Sequence, residues 1–280
     1  MLWDLISKNF WMTSKIICLV TVLLIVVEYL ELRYKDNIRE KLTGKALNQY
    51  LSASLLGAVP GCLDAFLVVS LYIHGMVGFG ALVAVMLSTA GDEAFIMLAL
   101  IPNDALKIFL ILIFLGFIGG FIADWVTRVL DVKTCEHCVI EVHEEYTGMH
   151  FLREHVYEHV IKKHVPRLFF WIFVPLVLVE LLIQSFNLAD IISTLPVSTL
   201  IVFAALVGVI PESGPHLIFL ILYSKGLIPF SVLLVSTLSQ DGHGLLPLLS
   251  HSLKDTVYVV IYDWIFINCG FDPACLRVLN

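Results

Sequence analysis

Gly57-Ala58-Val59-Pro60-Gly61-Cys62 recurs 151 positions later as Gly208-Val209-Ile210-Pro211-Glu212-Ser213. The correspondence continues downstream without a gap. Tyr72, Gly75, Phe79 and Ser88-Thr89-Ala90-Gly91-Asp92-Glu93 fall on Tyr223, Gly226, Phe230 and Ser239-Gln240-Asp241-Gly242-His243-Gly244. Each copy interrupts an apolar helix with Pro and Gly and sets ionisable groups beside the interruption. Proline inside a helix removes a backbone bond and clashes with the preceding turn. In lipid the freed carbonyls must be satisfied by protein, ion or trapped water. Two interrupted hydrophobic segments at matching positions of two halves are the best sequence pointer to a transporter's binding site.

Composition agrees with a bilayer as solvent. The chain is 59% hydrophobic and 15% charged, with a mean hydropathy of +0.92. A soluble domain of this length needs far less apolar surface. Stretches near or above the roughly 20 residues that span a hydrocarbon core are Ile16–Leu30, Tyr50–Ile73, Val77–Ile101, Ala105–Val126, Leu168–Phe186, Ile191–Tyr223, Leu227–Leu249 and Thr256–Phe271. This excludes a cytosolic enzyme and a secreted domain. A net charge of −7 without a basic patch points away from nucleic acid. Lys8 and Lys15 precede an apolar run, but no small-residue cleavage site follows, so the first span reads as retained.

The 151-residue offset sets the organisation: a first membrane repeat over 1–127, a polar linker over 128–166 and a second repeat over 167–280. Ile191–Tyr223 is too long for one crossing and contains Pro196, Gly208 and Pro211. The segments around Gly75 and Gly226 are each short of a full span, which suits either kinked helices or a re-entrant hairpin with its tip at Gly75–Gly78. Ile38–Asn48 is too polar to span, whereas its counterpart in the second half is apolar. The expectation is an all-α polytopic membrane protein of five and five segments, some half-length, in two inverted repeats. Two basic loops, Arg33–Lys45 and Arg128–Arg167, both belong in the cytoplasm by the positive-inside rule. That requires an even number of crossings between them, whereas simple counting gives three.

Membrane-embedded polar residues are the candidate ion ligands. They are Cys62, Asp64, Ser88, Asp92 and Glu93 from the first half, and Glu212, His216, Gln240, Asp241 and His243 from the second. A carboxylate at depth is costly, so it pairs, protonates or binds an ion. Asp104 and Asp255 open the last spans of their halves and read instead as helix N-caps. The helix-breaking positions are Pro60, Gly61, Gly91, Pro211, Gly214, Gly242 and Gly244. Glycine there permits left-handed turns and close approach to a ligand, although small residues also pack helices in membranes. Carboxylates, hydroxyls, an amide and imidazoles suit a hard or borderline divalent cation such as Mn²⁺, with Zn²⁺ or Fe²⁺ next. Trivalent arsenic would want several thiols, and only Cys62 lies within the set. Asp and His can also relay protons, which would couple ion export to proton entry.

The linker holds most of the histidines. Cys135-x2-Cys138-x11-His150-x4-His155 approaches zinc-finger spacing, with His159 nearby, so the linker is a second candidate site for zinc or another divalent metal. Its plainer reading is a helical loop of solvated histidines. His155-Val156-Tyr157-Glu158-His159 also matches the inverted zinc-peptidase pattern. A loop of some forty residues is too small for a peptidase domain, and the chain reads as a non-enzyme that needs no cofactor. A metal-dependent membrane hydrolase or a metal sensor, either using the linker, is the alternative from another class.

Several segments resemble the ten-transmembrane heavy-metal exporter family, whose members carry the labels arsenic efflux protein and manganese transporter. They are LLGAVPGCLDAFLVVSLY (Leu55–Tyr72), FGALVAVMLSTAGDEAFIMLALIP (Phe79–Pro102), LVGVIPESGPHLIFLILYSKGLIPFSVLLVSTLSQDGHGLLPLL (Leu206–Leu249) and HFLREHVYEHVIKKHVPR (His150–Arg167). The resemblance implies an integral membrane exporter of metal or metalloid ions, built from two repeats, in the cytoplasmic membrane of a prokaryote. Its partners would be the ion and the lipid bilayer. A homo-oligomer is left open, and arsenite is the alternative substrate.

Overall fold

The computed structural model describes residues 2–42, 44–61, 63–131, 165–186, 188–208, 210, 213–240 and 244–270. All regular elements among them are helices. The first half comprises α1 (Leu2–Leu42), α2 (Ala46–Gly57), α3 (Leu63–Ile73), α4 (Phe79–Ser88), α5 (Glu93–Leu100) and α6 (Pro102–Val129). The second comprises α7 (Val165–Phe186), α8 (Leu188–Thr194), α9 (Val197–Gly208), α10 (Ser213–Ser224), α11 (Phe230–Leu238), α12 (Leu245–His251) and α13 (Leu253–Gly270). Shifted by 151 residues, α2 to α6 start within one residue of α9 to α13. The halves are structural repeats, and the overlong Ile191–Tyr223 segment is divided among α8, α9 and α10.

Phe79–Leu100, taken across its break, and Pro102–Val129 are each long and apolar enough to cross a membrane. α6 begins with Pro102 in its first turn, where a missing N–H costs nothing. One of its faces carries Leu106, Leu110, Phe114, Phe121 and Trp125, all exposed, while Ala105, Ile108, Leu112, Gly116, Gly120 and Ala123 are buried. On α13, Leu253, Val257, Ile261 and Ile265 form an exposed apolar row at four-residue spacing. Continuous apolar stripes of this kind are a liability in water and the expected lipid face in a bilayer.

Contacts fix the directions of the helices. A methyl group on Gly57 would lie 2.2 Å from Ser88 Oγ, and one on Gly80 would lie 2.8 Å from the Tyr50 ring. Starts and ends therefore match, and α2 and α4 run parallel. A methyl on Gly120 would lie 2.5 Å from the Gly80 carbonyl oxygen, and one on Gly116 would lie 2.6 Å from the Ala84 carbonyl oxygen. Here α6 runs antiparallel to α4. Because α2 and α4 share a direction, α3 must return between them, and the Gly78 N–H donates to Gln49 Oε1 at 3.2 Å. The turn at Gly75–Gly78 thus lies at the exposed end where α2 begins. The deep tip of the hairpin is the Ala58–Gly61 break, not Gly75–Gly78 as helix lengths suggest. Each half supplies a first long helix, two hairpin arms, a broken span and a closing span, which makes the expected ten segments.

The N-cap reading of Asp104 and Asp255 is also corrected. Ile101 occupies the cap position of α6. At α13 the Asp255 N–H donates to Ser252 Oγ at 3.2 Å, so serine satisfies that end. The two carboxylates reach across to the other half instead. Tyr223 Oη donates to Asp104 Oδ2 at 2.9 Å, and Tyr72 Oη donates to Asp255 Oδ2 at 3.0 Å. Tyr72 and Tyr223 are counterparts, and so are Asp104 and Asp255. The core follows the same exchange. One cluster joins α5 and the start of α6 to α9, α10 and α11; the other joins α2, α3 and α4 to Leu248 of α12 and Val259 of α13.

Candidate functional site

The hairpin tip and the break in the α4–α5 span meet. Gly61 has φ +141° and Gly91 has φ +51°, both in territory that suits glycine. The Gly61 N–H donates to the Gly91 carbonyl at 3.3 Å. Between α4 and α5 the backbone turns extended at Thr89, whose hydroxyl accepts the Gly91 N–H at 3.4 Å. Pro60 stands in the tip, half-buried. The two interruptions lie side by side and leave backbone groups outside regular helix deep in the bundle, where an ion can use them.

Asp92 and Glu93 follow this junction directly. Asp92 precedes α5 and is buried, and Glu93, its first residue, is fully buried. Neither Glu93 oxygen has a hydrogen-bond partner among the described residues. A carboxylate desolvated in this way must acquire a proton or a cation. From the second half, His216 lies in the first turns of α10 and is also fully buried. Its Nε2 stands 3.5 Å from the Ile210 carbonyl, while its Nδ1 has no hydrogen-bond partner among the described residues. Ser236 Oγ in α11 is buried and likewise has none among them.

The repeat relates these groups. Gly244, buried just before α12, is the counterpart of Glu93, and Ala65 in α3 is the counterpart of His216. A methyl group on Gly244 would fall 2.8 Å from Ala65 Cβ and 3.2 Å from Met86 Cε. Just as α12 packs on α3, α5 packs on α10. The same pair of positions is therefore occupied by glycine and alanine at the α12–α3 contact and by glutamate and histidine on α5 and α10.

Other expected residues fall as follows. Ser88 is buried at the end of α4, and its hydroxyl bonds back to the Ala84 and Val85 carbonyls at 2.8 and 3.2 Å. Ser239 does the same with Val235 and Ser236. Gln240 and Gly214 are buried, and Asp64 stands on the first turn of α3. Cys62, Pro211, Glu212, Asp241, Gly242 and His243 lie outside the described residues. So do the linker residues Cys135, Cys138, His150, His155 and His159. Among the described residues no three His, Cys, Asp or Glu side chains are grouped to hold a metal ion.

Sequence reasoning missed several polar groups within the bundle, one buried and two half-buried. Asp263 is buried within α13, and an aspartate between apolar neighbours in a closing span was signal enough to find it. Asp124 accepts from the Tyr50 hydroxyl, from the Gly80 N–H at 3.1 Å and from Arg128 at 2.7 Å. Glu180 in α7 binds Lys8 and Asn9, each at 3.0 Å, tying α1 to α7.

A family model described as "Putative, 10TM heavy-metal exporter" matches residues 2–183 and again residues 150–267. Searches among curated proteins and among solved structures give no match.

Proposed function

This chain belongs to the ten-transmembrane heavy-metal exporter family and is an integral membrane protein, and we propose that its cargo is a divalent cation such as Mn²⁺. The observation that carries this reading is Glu93, a fully buried carboxylate that has no hydrogen-bond partner among the described residues, beside two meeting helix breaks. We infer that Glu93 and His216 face one another across the α5–α10 contact, as Gly244 and Ala65 do across α12–α3. Asp92, Gln240, the non-helical backbone around Gly61 and Gly91, and Asp64, Glu212, Asp241 and His243 complete the donor set. Oxygen and imidazole donors favour a hard or borderline ion over trivalent arsenic, which would need thiols besides Cys62. A proton on Glu93 can replace the departing cation, so export is coupled to proton entry.

Alternating access between two inverted repeats moves the ion. Support comes from Tyr72 at the end of α3 and Tyr223 at the equivalent end of α10. Tyr223 binds the start of α6, at Asp104, whereas Tyr72 packs on Phe79 (centroids 6.2 Å apart) at the end near Asp124. Equivalent elements thus finish at opposite ends of α6, about 30 Å apart. The α2–α3 hairpin enters and leaves on one side. Only α4–α5 and α6 then cross between the two basic loops, the even number that the positive-inside rule asks for. Both loops are cytoplasmic in this reading, in the inner membrane of a prokaryote.

Cells lacking their own exporters test the reading. They would carry either this chain or its Asp92→Asn/Asp241→Asn variant and be challenged with manganese, zinc and arsenite. The expected result is lower cell manganese with the native chain only. Arsenite protection that survives the double substitution would overturn it.

A further inference from the structure

We propose that the two reciprocal tyrosine–aspartate hydrogen bonds are the alternating latches of the transport cycle, Tyr72–Asp255 closing one end of the bundle and Tyr223–Asp104 the other. The inference rests on the alternating-access reading above, but its own observations are separate from the ion site. Each latch joins a hairpin arm of one half to the closing span of the other. Each therefore bridges the surfaces that must part when an end opens. The tyrosines stand beside the exposed turns at Gly75 and Gly226, which have φ +68° and +71°. The aspartates stand on the first turns of α13 and α6. Both pairs stand beside the turns at the bundle ends and not on the helix breaks, so their members are positioning residues that act through helix movement.

The two latches are equivalent by sequence and unlike in environment. At one end Tyr72 and Asp255 are 3% and 1% exposed, and the Tyr72 ring packs on Phe79, whose other neighbour is Tyr262 at 5.9 Å. At the other end the Asp104 side chain is 30% exposed and shared with Lys107 at 2.8 Å. Tyr223 is only half-buried, although it keeps the matching ring contact with Phe230 at 6.2 Å. One end is dry and shut while the other admits water to its latch. In a molecule built from two repeats, that difference is what a single state of an alternating cycle looks like. Exchange of the two environments gives the opposite state. A hydrogen bond exposed to water holds less firmly than a buried one, so the wet latch is the one poised to open.

The test is hydrogen exchange by mass spectrometry on the full chain in nanodiscs, comparing Tyr72→Phe and Tyr223→Phe, which remove one hydroxyl and keep the ring. Tyr72→Phe should speed exchange over residues 252–258 roughly fivefold, the loss of one hydrogen bond, and slow it over 102–107. Tyr223→Phe should do the reverse. Acceleration confined to each variant's own end, or no change at either, would overturn the proposal, since static clasps are not coupled. Asp255→Asn retains an acceptor for Tyr72 and should move exchange in the same sense by a smaller factor. It decides the matter should Tyr72→Phe not fold. Exchange needs no ion. Failure here with manganese export intact refutes the latches alone, and uncoupled cargo with reciprocal exchange refutes the cargo reading alone.

Discussion

Glu93 and Gly244 occupy the same position in the two repeats, and that difference, with His216 against Ala65, makes the two junctions chemically unlike. Glutamate at one and glycine at the other leaves one buried carboxylate without a hydrogen-bond partner among the described residues. Such a group destabilises the ion-free protein, because a desolvated carboxylate lacks compensation. Glu93→Gln should therefore raise the melting temperature in the absence of metal, by a gain on the order of 1–3 kcal/mol. The same variant should lose the stabilisation that manganese gives the native chain. Thermal melts of detergent-solubilised protein with and without Mn²⁺ measure both. A lower melting temperature for the variant in both conditions would mean that Glu93 has a partner in the fold.

At the scale of elements, packing of α4 between α2 and α6 depends on glycines that let backbones touch. Gly80 and Gly120 face one another so closely that either Cβ would strike the other's carbonyl oxygen at 2.5 Å. Gly120→Ala should cost about 1–3 kcal/mol and show as a lower melting temperature in size-exclusion thermostability assays. Sequence made most of these elements legible. The offset from Gly57 to Gly208 located both breaks, and hydropathy located the spans. It did not tell which interruption lies deep, because hairpin arms and half-spans have equal lengths. That information is in contacts such as Gly78 with Gln49 and Gly61 with Gly91, which join residues far apart in the chain. Asp104 and Asp255 misled for a related reason. A carboxylate in a first turn looks like a cap, and its tyrosine partner is more than a hundred residues away. Of the candidate site, Asp92, Glu93 and His216 were legible because an ionisable residue amid apolar ones is conspicuous. The contact of α5 with α10, which carry them, was not, since periodicity carries no information between the halves.

For the whole molecule, the reciprocal tyrosine contacts tie the halves together so that each closes over the other's hairpin. The arrangement has a topological consequence. Cysteines introduced at Lys45 and Asp131 should be labelled by an impermeant maleimide from the same face of the membrane, and one at Lys225 from the opposite face. Lys45 and Asp131 on opposite faces would mean that α2 and α3 cross the membrane instead of re-entering. In the function proposed above, Glu93 binds a divalent cation which the protein moves across the bilayer. The most direct test of that function is manganese flux into liposomes holding the purified chain under an imposed proton gradient, with Glu93→Gln as the comparison. Saturable Mn²⁺ flux is expected in the native chain, with a loss of at least tenfold in the variant and both proteins equally folded. Equal flux in the two would contradict it.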